Sequence, residues 1–149
     1  MIPILIALGV FDDAPLPEPL PTPPERIIRL TRSGGFTVAG HVLDPANQLN
    51  YLLDLSALLE DGENFTTVSL AVLPASAALG FSIPSTGTYQ ARQVDDRHIA
   101  IWPTIDPAKV NAQTWAGQGA ACSFEVTAST DSDPQRSWQQ TVSIRMAQR

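Results

Sequence analysis

Residues that could do chemistry are few in this sequence and scattered along it. His41 and His98 lie far apart, and neither has a second His or Cys at ligand spacing. A zinc site needs three or four such ligands, so each reads as a surface or turn histidine. Cys122 is the single cysteine, which excludes an internal disulfide and a Cys-rich metal site. It alternates with Phe124 and Val126, the pattern of a buried small hydrophobe; a reactive thiol needs an electropositive, partly exposed setting. Asp44, Asp54, Asp61 and Glu63 could in principle gather around Ca²⁺, but their spacing does not follow an EF-hand loop, and solvated turns are the plainer expectation. There is no Gly-x-Ser-x-Gly elbow and no phosphate-cradling glycine loop with its lysine; Gly117-Gln118-Gly119 reads as a tight turn. Carboxylate-pair glycoside cleavage would need a groove lined with aromatics, and Trp102, Trp115 and Trp138 sit in separate segments. The sequence therefore predicts no catalytic residue, no metal and no cofactor.

The balance of charge points the same way. The chain of 149 residues carries 9 Lys+Arg against 15 Asp+Glu, net −6, with Lys109 its only lysine. Partners such as nucleic acid or an anionic membrane call for basic patches, so neither is expected. Hydrophobic residues at 44% suffice for one core, and the length suits one domain with a tail.

From Glu25 onward the pattern is that of short strands. Runs 26–32, 36–43, 50–55, 65–73, 79–83, 88–94, 98–102, 121–128 and 136–146 alternate apolar and polar residues, with Pro and Gly turns between them. Phe36, Val38 and Val42 share one face of their run; Val68, Leu70 and Val72 point inward from theirs, with Thr67, Ser69 and Ala71 outward. Only Ser56–Asp61 could hold a helical turn. Residues 26–149 are thus predicted to form an all-β, immunoglobulin-like antiparallel β-sandwich, under about a tenth helical. Its core is predicted at Leu49, Tyr51, Val68, Leu70, Phe124, Val126, Val142 and Ile144.

Residues 1–25 read differently. Met1–Phe11 is almost wholly apolar, too short for a bilayer at ~20 residues and without the basic start of a secretory signal, so this end is expected to be retained. Six of the thirteen prolines then fall between positions 15 and 24. Proline fixes φ and removes a donor, so this stretch should run as a semi-rigid spacer of ~3.1 Å per residue. Two readings follow: a strand packed on its own domain, or, preferred here, an extended Pro-rich arm that carries an apolar tip to a neighbouring subunit. Ile2, Ile4, Leu5, Ile6, Leu8 and Phe11, with Pro15, Pro17, Pro19 and Pro21, are its candidate partner-binding residues.

The run Asp44-Pro45-x-x-x-Leu49-Asn50-Tyr51-x-x-Asp54-x-Ser56-x-x-Leu59 resembles a family of small tailed-bacteriophage virion proteins. Gly117-x-Gly119, Phe124-x-Val126-Thr127 and Arg136-Ser137 with Thr141–Arg145 resemble that family's later turn and strands. Leu55 stands where relatives often carry Trp. The resemblance spans about residues 37–149 and implies an immunoglobulin-like structural protein, often an adaptor between tail and fibre. It implies tail, fibre or major capsid subunits as partners, many copies in a symmetric assembly, and no catalytic site. Physically, the motif suits a scaffold: Asp44-Pro45 sets a turn, the Tyr51 hydroxyl can tie a loop, and Asp54 and Ser56 can satisfy backbone donors. Capsid decoration and carbohydrate binding are the alternatives, the latter through Trp115 as the best candidate for an exposed aromatic.

Overall fold

The alternating runs become strands, and with two further short ones the described residues hold eleven. A computed structural model describes residues 4–6, 21–32 and 35–149. The strands are β1 (Ile4–Ile6), β2 (Ile27–Arg29), β3 (Gly35–Val38), β4 (Tyr51–Asp54), β5 (Phe65–Val72), β6 (Phe81–Ser82), β7 (Arg92–Asp95), β8 (His98–Ile101), β9 (Thr104–Ile105), β10 (Ala120–Thr130) and β11 (Ser137–Met146). One sheet has the order β1-β5-β10-β11-β3, a second the order β2-β4-β8-β7, and β6-β9 forms a small ribbon. The result is an all-β sandwich.

Each large sheet turns one face inward. Val68, Leu70, Cys122, Phe124, Val126, Val142 and Ile144 from the first meet Ile28, Tyr51, Leu53, Ile99 and Ile101 from the second in a single buried cluster. Burying one face of each sheet against the other is what makes a sandwich stable. The predicted core residues lie in this cluster, except that Leu49 is only partly buried at its margin. Phe81, from the ribbon, stacks on Phe124 with ring centroids 6.5 Å apart.

Two expectations are corrected, and the open face of one strand is assigned. The sheets are not wholly antiparallel: β2 runs parallel to β4, and β3 parallel to β11. The segment after the proline stretch lends its first half to one sheet and its second half to the other, and both edge pairings are parallel. Helix reaches 13% of the described residues rather than under a tenth, in α1 (Pro74–Ala78) and four 3₁₀ turns. Proline starts three of these five elements, because its missing N–H and fixed φ suit the first helical position. Finally, Phe36 and Val38 are each 61% exposed, and Ala39 and Leu43 are the buried residues of that run. Thr37 takes the register position beside inward Val142, which leaves its neighbours Phe36 and Val38 on the outer face.

Candidate functional site

The residues of the Asp44–Leu59 run are bound into the scaffold. Asp44 Oδ1 accepts the Ala46 N–H at 2.8 Å, and Oδ2 accepts the Arg149 N–H at 2.8 Å, so one carboxylate closes its own turn and pins the C-terminal residue. These two backbone donors hold its pKa below the ordinary value. Tyr51 is fully buried, and its hydroxyl lies 2.7 Å from Nδ1 of His41. Burial, then the Arg26 charge, hold the His41 imidazole below its ordinary pKa; the neutral ring so favoured can accept the tyrosine proton. Asp54 Oδ1 accepts from the Ser56 N–H at 3.0 Å and from its hydroxyl at 2.6 Å. Partial burial raises the Asp54 pKa, but the Ser56 bonds, with His98 and Arg29, outweigh it and leave it low.

Asp54 also sits in a row that crosses the outer face of the second sheet. Arg29 and His98 are its register neighbours on β2 and β8. Arg29 Nε and His98 Nε2 each lie 3.5 Å from it, and His98 Nδ1 lies 2.8 Å from Asp95 Oδ1 on β7. All four strands are thus joined at one level by side-chain contacts.

The four acidic residues weighed as a calcium cluster go to different places. Asp44 and Asp54 are engaged as above, while Glu63 pairs with Arg136, which donates to both of its carboxylate oxygens. Among the described residues, no three His, Cys, Asp or Glu stand together as metal ligands. Cys122 is fully buried, and burial pushes its thiol pKa up to about 12.

Trp115 overturns the expectation that it is exposed. The 3₁₀ turn Gln113–Trp115 lays its ring into the core with no exposed surface, and Nε1 donates to the Lys109 carbonyl at 2.8 Å. The polar residues around it in sequence face outward while the ring turns in. Trp102 is 8% exposed, with the Arg92 guanidinium 4.6 Å above its ring; Trp138 is partly buried against the core. A surface hollow of about 730 Å³ is lined by Glu25, His41, Asp44 and Arg149 among others. Its Asp44 and His41 are already engaged, as described above.

The strand edges offer another kind of surface. Of the candidate arm residues, Ile2, Leu8, Phe11, Pro15, Pro17 and Pro19 lie outside the described residues. Ile4, Leu5 and Ile6 are β1, paired antiparallel with β5 opposite Leu70, Ser69 and Val68. In the single chain these three residues pair with their own domain, the other of the two readings. An uncovered β5 would present a row of unpaired N–H and C=O groups, and the terminal strand supplies them. At the other end of the arm, Pro21 is exposed, whereas Thr22 Oγ1 accepts from Nδ2 of buried Asn50 at 3.0 Å. Arg26 Nε donates to the Asn50 carbonyl at 2.8 Å. The two described parts of this segment, 4–6 and 21–25, therefore both touch the sandwich. The role of Asn50 as anchor was missed in the sequence, where an Asn in a strand run carries no sign of its partner.

The opposite edge of the same sheet is β3, which carries exposed Phe36 and Val38. An edge of this kind suits backbone-paired addition of another chain segment. In comparisons with known proteins, the chain matches no family model, no curated protein and no solved structure.

Proposed function

We propose that this chain is a non-enzymatic structural protein of a tailed-bacteriophage virion, an adaptor at the tail–fibre junction that engages its partners through the N-terminal segment and the sheet edges. The observation that carries the reading is the fate of the Asp44–Leu59 run. Its polar residues Asp44, Asn50, Tyr51, Asp54 and Ser56 are taken up in turns, anchors and strand bonds, as suits a scaffold whose product is shape. A carbohydrate module lost its main support when Trp115 proved to be buried. The partners are tail or fibre subunits, met during assembly in the host cytoplasm, and the mature location is the virion.

The test is inactivation of the gene in the phage that carries it, followed by electron microscopy of the particles. Tails that lack fibres are the expected result. Fully fibred tails on fragile or undecorated heads would replace this reading with capsid decoration, and unaltered particles would refute both.

A further inference from the structure

We propose that β1 is exchanged between copies of this chain: Ile4–Ile6 of one copy adds to the β5 edge of a second copy, in the register seen within the single chain. The proposal rests on the assembly reading above and names the surface that the terminal segment engages.

Four observations lead to it. First, β1 is an edge strand of three residues whose one strand neighbour among the described residues is β5, so removing it breaks no other described pairing. Second, every copy presents the same β5 edge. Transfer to a neighbour keeps the pairs Ile4–Leu70, Leu5–Ser69 and Ile6–Val68, which is the low-cost route to assembly by exchange of an identical element.

Third, the arm links different sheets. β1 lies at an edge of the five-stranded sheet, whereas Thr22 is tied to Asn50 next to β4 of the four-stranded sheet, and the chain runs on from there into β2. The five-stranded sheet itself is four strand spacings or about 19 Å wide at ~4.8 Å each. Fourth, the arm's composition favours reach. Prolines 15, 17, 19, 21, 23 and 24 restrict φ and resist compact return, and ten residues of such a segment extend over about 30 Å. That exceeds the width of the sheet, so a neighbour's edge lies within the same reach as the chain's own. In an assembly of many copies, the high local concentration of β5 edges then favours exchange.

The experiment mixes two full-length variants, one carrying Leu5→Cys and the other Ser69→Cys, which are unfolded, refolded together and oxidised. Directly opposed positions on antiparallel strands stand about 4.5–5.5 Å apart at Cα, within disulfide range. Exchange yields a linked pair with one chain of each kind, identified by a peptide joining positions 5 and 69. The mixture of Leu5→Cys with Thr127→Cys is the comparison, since Thr127 lies beyond Ser69 on β10, two spacings or about 9.6 Å from position 5 and outside disulfide reach. At least a fivefold excess of the linked pair over that mixture is expected.

Equal yields, or closure only within single chains of the doubly substituted Leu5→Cys/Ser69→Cys protein, would overturn the proposal. Light scattering on unsubstituted protein and on Leu5→Pro, which removes the central N–H of β1, provides a check that does not depend on the cysteines. Loss of self-association in Leu5→Pro is expected; a monomeric parent, or unchanged association in Leu5→Pro, overturns the exchange. Fibreless particles in the gene-inactivation test would still stand after such a failure, so the two ideas fail separately.

Discussion

Replacing Phe124 by alanine tests the sandwich at its centre. The ring is fully buried on the middle strand of the five-stranded sheet, between Val142 on β11 and Val72 on β5, and it stacks on Phe81. Removing it loses the transfer energy of the ring and leaves a cavity, together about 3–5 kcal/mol. Domains of this size are stable by about 5–15 kcal/mol, so the variant keeps its fold unless the parent lies at the bottom of that range. At about 2 cal/mol/K per residue, the unfolding entropy is about 0.3 kcal/mol/K, and 4 kcal/mol lowers Tm by about 13 °C. Urea unfolding followed by tryptophan fluorescence measures the change, with the m-value held against the parent. Phe36→Ala, at a position 61% exposed, is the matched control and should shift stability by no more than about 0.5 kcal/mol. A loss under about 1 kcal/mol for Phe124→Ala at unchanged m, or equal losses for both variants, would refute the placement of the two sheets face to face.

Gly119→Ala should destabilise far more than Gly117→Ala: both have positive φ, but a Cβ at 119 would lie 1.8 Å from the Met146 carbonyl oxygen, whereas at 117 nothing lies within 4 Å. Gly117→Ala should cost about 1–2 kcal/mol for left-handed backbone alone, and thermal melts of the two variants check the difference. Arg136 hydrogen bonds hold the Glu63 pKa at about 2, against an ordinary 4.5. A carboxylate whose pKa falls on folding adds stability above the unfolded value and loses it as pH falls through the folded one. The advantage of the parent over Glu63→Gln should therefore be constant above about pH 5 and shrink towards pH 2, read from urea midpoints across that range. His41→Ala leaves the buried Tyr51 hydroxyl without its Nδ1 partner, at about 1–3 kcal/mol, and adding Tyr51→Phe should recover much of the loss in the same melts. Cys122→Ser places a hydroxyl at a fully buried site and should cost about 1–3 kcal/mol while particle assembly stays intact; abolished assembly by a folded variant would reveal a site this reading lacks.

The proposed role rests on two separate features of the chain. The Asp44–Leu59 run supplies the resemblance, and the sheet edges supply a surface for partners. The first uses residues whose side chains are consumed inside the domain; the second uses backbone and exposed Phe36 and Val38. Titratable side chains among the described residues enter structural contacts such as Arg29–Asp54–His98–Asp95.

Strand identity and inward faces were legible in the sequence because a half-buried strand must alternate: Val68 and Leu70, Phe124 and Val126, and Val142 and Ile144 all lie where period two places them. Local side-chain bonds were legible for the same reason of short range, as with Asp44 closing its own turn and Asp54 binding Ser56 two residues on. Sequence spacing carries no such information about partners far along the chain. Which edge receives Ile4–Ile6, whether β3 pairs parallel with β11, and that Asn50 holds Thr22 were decided by contacts between segments remote in sequence. Exposure at edges and turns was decided there too. Phe36 and Val38 face outward because Thr37 takes the inward register beside Val142, and Trp115 is buried because a single 3₁₀ turn swings its ring beneath polar neighbours. Alternation fixes that a strand has two faces, but only the packing of the sheets determines which of them is inside.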